Sequence, residues 1–212
     1  MLRISQYQYF AAILLVMVLS FLLYPTKRGI DPKSTLVNFL HLFSFSTHFG
    51  SQMWVTLVAG LTMFYNLPRI MFGQVQSRLF PMFFLSSLVM SSITLTTYVI
   101  QHPYETWGRI QFIEVCALTT CLISTSINTF VLSPLVVDIM IKRFELENEF
   151  GNGVAYTVGS TADLTEMKKN PIYLHIHRLF RRLHISSALA NVITLFANLI
   201  HLYYLSCQCQ PV

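Results

Sequence analysis

His41, His102, Glu114 and His201 stand within or beside long apolar runs, with Gln101 and Asn198 close to them in the same kind of surroundings. An unpaired ionisable group inside a bilayer costs about 3 kcal/mol or more, so these residues need partners and mark where function would sit. Imidazoles beside a carboxylate can bind a transition metal or relay protons. They can also hydrogen-bond one another between helices and do nothing but set packing. No H-x-x-H or E-x-x-H pair fixes two ligands on one helix face, which favours packing and leaves the metal, if there is one, unknown. Met53, Met63, Met71, Met82 and Met90 share no single face and read as apolar filler. There is no G-x-S-x-G, phosphate loop, H-E-x-x-H or carboxylate pair on one helix, so we expect no enzymatic activity and no cofactor.

The elements that must position these groups are membrane helices. Of 212 residues, 54% are apolar and only 11% charged, and the mean hydropathy is +0.56, which is membrane rather than soluble composition. Apolar stretches run over residues 9–24, 36–65, 79–101, 110–137 and 186–207. The first has Arg3 before it, Lys27 and Arg28 after it and no small-x-small cleavage site, so it reads as an uncleaved signal anchor. The second is long enough that it must tilt, protrude or bend near Gly50. Each later run carries one polar stripe: His41, Ser44, His48 and Gln52; Ser87, Ser91, Thr94, Tyr98 and Gln101; Glu114, Cys121, Thr125 and Asn128; Ser187, Asn191, Thr194, Asn198 and His201. Stripes of this kind face protein rather than lipid. The expected fold is therefore an all-α membrane protein, a four-helix transmembrane bundle preceded by a signal-anchor helix. Residues 1–33 would hold the anchor and 34–212 the bundle.

Counted over five spans, ten Lys and Arg fall on one side and four on the other, which puts the N-terminus and residues 138–185 in the cytosol and the C-terminus in the lumen or outside. The segment 138–185 starts as a charged extension of the preceding span and breaks at Gly151, Asn152 and Gly153. It then restarts with Asn170 as N-cap and Pro171 at the first helical position. Ile172, Ile176, Leu179, Phe180 and Leu183 would form an apolar face, with His175, Arg178 and Arg182 opposite, an amphipathic cytosolic helix before the last span. Arg178, Arg181 and Arg182 could grip anionic lipid, dock a partner, or only snorkel to the membrane surface. Membrane lipids and a larger membrane-protein partner are the expected associates. No basic run interleaved with aromatics suggests nucleic acid.

Between Gly50 and Pro81 the chain reads G-x-Q-x-W-V-T, with Gln52 and Trp54, then L-P-R…F-G…Q-S-R-L-F-P, with Pro68, Arg69, Gln76, Ser77, Arg78 and Pro81. Pro68 would close one span, Arg69 and Arg78 bracket a basic loop, and Pro81 begin the next helix. Further on stand Pro171, Tyr173, Phe180, His184, Ser187 and Asn191. These runs resemble the transmembrane protein 205 family over about Phe39 to Leu205. Ile185 and Ser133 depart from it, replacing a usual Gly and a usual acidic residue. The resemblance implies efflux of a metal ion or platinum drug, as in cisplatin resistance. The residues themselves favour a non-enzymatic accessory subunit of an endomembrane assembly, one that could handle lipid, in the endoplasmic reticulum or a vesicular membrane, with the plasma membrane as the alternative.

Overall fold

Continuous apolar runs with small and polar residues at helical spacing form four long rods. A computed structural model describes residues 34–149 and 169–208, which are helix and short turns throughout. The expected signal anchor, the glycine break at 151–153 and the final Cys209 lie outside the described residues. The first rod, 35–66, joins α1 (Thr35–Met53), a π-helical segment (Trp54–Ala59) and α2 (Gly60–Asn66). Its irregularity is thus not at Gly50, which lies inside α1 with nothing within 4 Å of where a Cβ would be. The wider π turn arises next door, where the Gly60 amide reaches the Val55 carbonyl five residues back. A Cβ on Gly60 would come within 2.9 Å of that carbonyl oxygen, so glycine makes the close approach possible.

Leu67 is extended, as the residue before a proline must be, and Pro68 then caps α3 (Arg69–Gln101) through its carbonyl, which accepts from the Phe72 amide at 2.8 Å. The chain therefore reverses in two residues. The expected basic loop up to Pro81 does not form, and Pro81 lies inside α3 rather than at a helix start. Membrane helices tolerate an interior proline because neighbouring groups can satisfy the freed carbonyl. At the far end Trp107 Nε1 donates to the His102 carbonyl (2.8 Å) and ties down a turn of 3-10 helix at Tyr104–Thr106. The third rod, 109–149, runs through α4 (Arg109–Ile127), a second π segment (Asn128–Leu132) and α5 (Ser133–Glu149).

Asn170 caps the last helix, α6 (Pro171–Gln208), its Oδ1 accepting from the amides of Ile172 (2.9 Å) and Tyr173 (3.4 Å). The expected amphipathic helix is not a separate element: α6 is one unbroken rod of 38 residues. Its packed face is also rotated from the expected one, with Ile172 exposed and Tyr173 buried. Tyr173 wins because its hydroxyl finds Glu147 on α5 at 2.9 Å, a partner no isoleucine could use.

Three helices are long and apolar enough to cross a membrane: Ile70–Gln101, Arg109–Glu147 and Pro171–Gln208. The protein is an integral, multi-pass membrane protein. α4 packs mainly on α6 and α1 on α3, with α3 against α4 joining the pairs. A small apolar core of Leu88, Leu95, Tyr98, Leu118, Leu122 and Tyr204 lies between them. At the opposite end α3 comes so close to α5 that a Cβ on Gly73 would run into the Phe144 ring. Eight of the nine Lys and Arg among the described residues lie at this second end, and Arg109 alone at the first.

Candidate functional site

The four polar stripes face inward and meet. His41, Ser44, His48 and Gln52 are buried on α1, and Glu114, Cys121, Thr125 and Asn128 on the third rod. Ser187, Thr194, Asn198 and His201 are buried on α6, and Ser87, Ser91, Thr94 and Tyr98 on α3. Van der Waals packing and hydrogen bonds, rather than water exclusion, hold helices together in lipid, so such groups are found between rods.

At the heart lies a linear chain of four side chains from all four rods. Thr97 Oγ1 is 2.9 Å from His41 Nδ1, His41 Nε2 is 3.0 Å from His201 Nε2, and His201 Nδ1 is 2.8 Å from Glu114 Oε2. Phe45 sits edge-on to the His201 ring at 4.8 Å and Tyr204 stacks along it at 6.1 Å, fixing its plane. The chain has two complete hydrogen-bonding patterns. With Glu114 a carboxylate, His201 donates to it, His41 donates to His201 and Thr97 donates to His41. One added proton reverses every step: Glu114 donates to His201, His201 to His41 and His41 to Thr97. The Thr97 hydroxyl then turns to the Ile93 carbonyl of its own helix, 2.8 Å away. No bond is lost between the two states, and the second holds no charge. The arrangement can therefore store or pass one proton without breaking the bundle.

The remaining members of the expected cluster sit in other layers. His102 takes its Tyr98 carbonyl contact at 3.1 Å and the Tyr204 hydroxyl at 3.2 Å, about one turn further out. Gln101 donates to Asn38 Oδ1 (2.8 Å) beyond the chain. Asn198 lies deeper: its amide donates to Gln52 Oε1 (2.8 Å), and Cys121 Sγ donates to its Oδ1 (3.7 Å). Gln52 Nε2 in turn donates to the Asn191 carbonyl (2.9 Å) and Oδ1 (3.2 Å), and Asn191 Nδ2 donates to Thr56 Oγ1 (3.0 Å). Asn128 and Ser187 exchange two bonds, at 2.7 and 3.2 Å. Because the first chain is linear, its nitrogens and carboxylate do not converge, and among the described residues no three His, Cys, Asp or Glu form a metal-holding group.

Residues 43–145 match a family described as a domain of unknown function, DUF4149. The chain is 30% identical to Transmembrane protein 205 of Danio rerio over 178 residues, 83% of this chain and 94% of that protein. The chain belongs to the transmembrane protein 205 family. No solved structure matches it.

The transmembrane protein 205 signature falls in two places here. Gln52 and Asn191 are in the polar network just described, and Gln76 and His184 are not. Those two line a second feature, a crevice of about 270 Å³ between the first rod, α3 and α6 with Val136 of α5 at its wall, whose lining also includes Thr56, Ser187 and Asn191. Trp54 is 62% exposed and points away from the bundle, and Ser77 bonds only to the Gln74 carbonyl of its own helix (2.8 Å). Arg69 opens α3 directly after the Pro68 cap, and Arg78 follows nine residues on, at the second end of the bundle. Arg178, Arg181 and Arg182 are exposed on α6 near that end. Of the two departures from the family pattern, Ile185 is exposed and Ser133 is buried with an Oγ that finds no partner.

Sequence reasoning missed Arg143. It is buried at the second end, 3.3 Å from Glu147 Oε1, with its guanidinium 4.5 Å above the Phe180 ring and 5.3 Å from that of Phe144. The signal was present in the sequence: Glu147 is four residues beyond Arg143, the spacing of a helical ion pair.

Proposed function

We propose that this protein is a non-enzymatic accessory subunit of an endomembrane assembly that handles lipid. The observation that carries the reading is that most intramembrane polar groups among the described residues are bonded to one another, in networks that draw on all four rods, which suits a scaffold more than a path. In this reading residues 34–208 cross the membrane four times, behind a signal anchor, since the first rod lies along α3 for most of its length. The end rich in Lys and Arg faces the cytosol and the end with Arg109 the lumen. Exposed Arg178, Arg181 and Arg182 attract anionic lipid there, each by about 1 kcal/mol.

A second reading, proton-coupled efflux of a metal ion or platinum drug, has one specific support: the Thr97, His41, His201, Glu114 chain keeps all its bonds in two protonation states. Replacing His201 with Gln separates the two. Gln retains hydrogen bonding and cannot titrate near neutral pH. We expect a folded variant that still co-purifies with the wild-type set of membrane proteins and leaves cellular platinum accumulation unchanged. Full stability with complete loss of efflux would overturn the scaffold reading in favour of the transporter.

A further inference from the structure

The crevice between the first rod, α3 and α6 differs in kind from the network beside it. Phe64 and Phe72 stand on its walls with Phe80, Phe83, Phe84 and Leu61. Gln76 is 9% exposed, and among the described residues its amide has no hydrogen-bond partner and is not fully enclosed, so it opens onto the crevice. His184 lies at the mouth, stacked on Phe180 at 5.7 Å, and its ring too has no hydrogen-bond partner among the described residues. An amide that opens onto an apolar crevice and bonds nothing in the fold is free to bond a polar group that enters from the bilayer.

The first π segment lines this space, and the second bonds to residues that line it. Val55 and Thr56 of the first π segment form part of its wall. In the second, Thr129 Oγ1 donates to the carbonyl of Phe84 (3.0 Å) and Asn128 holds Ser187, both crevice residues. π turns within α-helices occur disproportionately at functional sites.

We propose that the crevice binds a membrane lipid with an uncharged hydroxyl head, the hydroxyl meeting Gln76 and His184 and the apolar body lying among the phenylalanines. This deepens the lipid-handling part of the reading above and rests on it. A neutral head suits a lining without Asp, Glu, Lys or Arg, the nearby Arg143 being engaged by Glu147. Burying a phosphate or carboxylate there would strand its charge. The hydroxyl must both give and take a hydrogen bond, as the Gln76 amide and the His184 imidazole each can. A cavity of about 270 Å³ falls just below the usual size of small-molecule sites, about 300–1,000 Å³. That suits a ligand whose remainder stays in the bilayer. The mouth is on the perimeter, where Leu61 and Phe64 are exposed, so entry from the lipid phase needs no opening of the bundle.

Sterols and diacylglycerols share this chemistry, and the test separates them. The purified full chain in phosphatidylcholine nanodiscs is exposed to photoactivatable cholesterol, diacylglycerol or phosphatidylcholine, and labelled peptides are mapped. We expect cholesterol or diacylglycerol to label residues 55–64 and 80–84 at least tenfold more efficiently than phosphatidylcholine, and the productive arm identifies the lipid. Q76L, near in size to the native residue, should weaken that labelling about tenfold, the worth of one buried hydrogen bond of about 1.4 kcal/mol. A188F, which fills the mouth, should abolish it. Equal labelling by phosphatidylcholine, or labelling unchanged in both variants with the fold intact by size-exclusion profile, would overturn the proposal. Because the nanodisc holds this chain alone, such a failure leaves the accessory-subunit reading to its own test.

Discussion

Two glutamines one rod apart frame how this protein uses polarity inside a bilayer. Gln52 has both ends of its amide engaged, donating to Asn191 and accepting from Asn198. Gln76 is 9% exposed and, among the described residues, engages nothing. The first belongs to a lock made of four helices, and the second faces a space walled by phenylalanines. Polar residues in membrane helices thus divide by whether the fold itself satisfies them. Those that it satisfies hold the bundle together; lack of a partner marks a ligand only beside a cavity, since among the described residues His48 Nε2, Ser87 Oγ, the Tyr98 hydroxyl and Ser133 Oγ are buried unpaired away from the crevice.

The largest expected effect comes from breaking the lock at its centre. His201→Leu removes the partner of both His41 and Glu114 and leaves a buried carboxylate alone. If Glu114 is ionised, the loss should be about 3–5 kcal/mol, far above the average of about 0.6 kcal/mol for a neutral interhelical bond. Unfolding in mixed micelles of increasing SDS fraction would measure it. A loss below about 1.5 kcal/mol would mean that the uncharged pattern, with Glu114 protonated, is the resting one.

Next comes Gly73→Val at the second end of the bundle. The branched side chain has to enter space held by the Phe144 ring tip and Met140, so those side chains must move aside or α3 and α5 must part. Overpacking of this kind costs about 1–3 kcal/mol. The same unfolding assay should show that loss, and combining the change with Phe144→Ala should recover part of it. No recovery would place the strain somewhere other than this helix contact.

Much of the lock was legible in the sequence. The period of His41, Ser44, His48 and Gln52, and of Ser187, Asn191, Thr194, Asn198 and His201, puts each set on one helical face, and apolar surroundings force such faces inward. The layers were not legible, because depth along a rod depends on where each helix begins. Placing Pro81 in the first turn of a helix that starts at about Leu79 shortens α3 by ten residues and hides that Gln76 stands inside a helix facing the crevice. A proline is ambiguous in this respect: in lipid it can sit inside a helix whose freed carbonyl finds another donor. The crevice itself joins residues of all four rods, some more than a hundred positions apart, and the π segment that widens its wall has no sequence signature beyond Gly60.

The smallest effect is also the one that bears most directly on the comparison. Gln52→Leu should cost about 1–2 kcal/mol, because it breaks bonds to Asn191 and Asn198 and leaves both amides without those partners. Gln76→Leu is the same chemical change at nearly the same burial, and it strands nothing. The substitution removes an unsatisfied amide from an apolar wall and adds a side chain that suits its phenylalanine neighbours. Without lipid ligand its stability should therefore match the wild type or exceed it by up to about 1 kcal/mol. The measurement is thermal unfolding of both variants in a detergent free of added sterol and diacylglycerol. Equal losses for Gln52→Leu and Gln76→Leu would mean that Gln76 is satisfied within the fold after all, and the distinction between lock and crevice would fall with it.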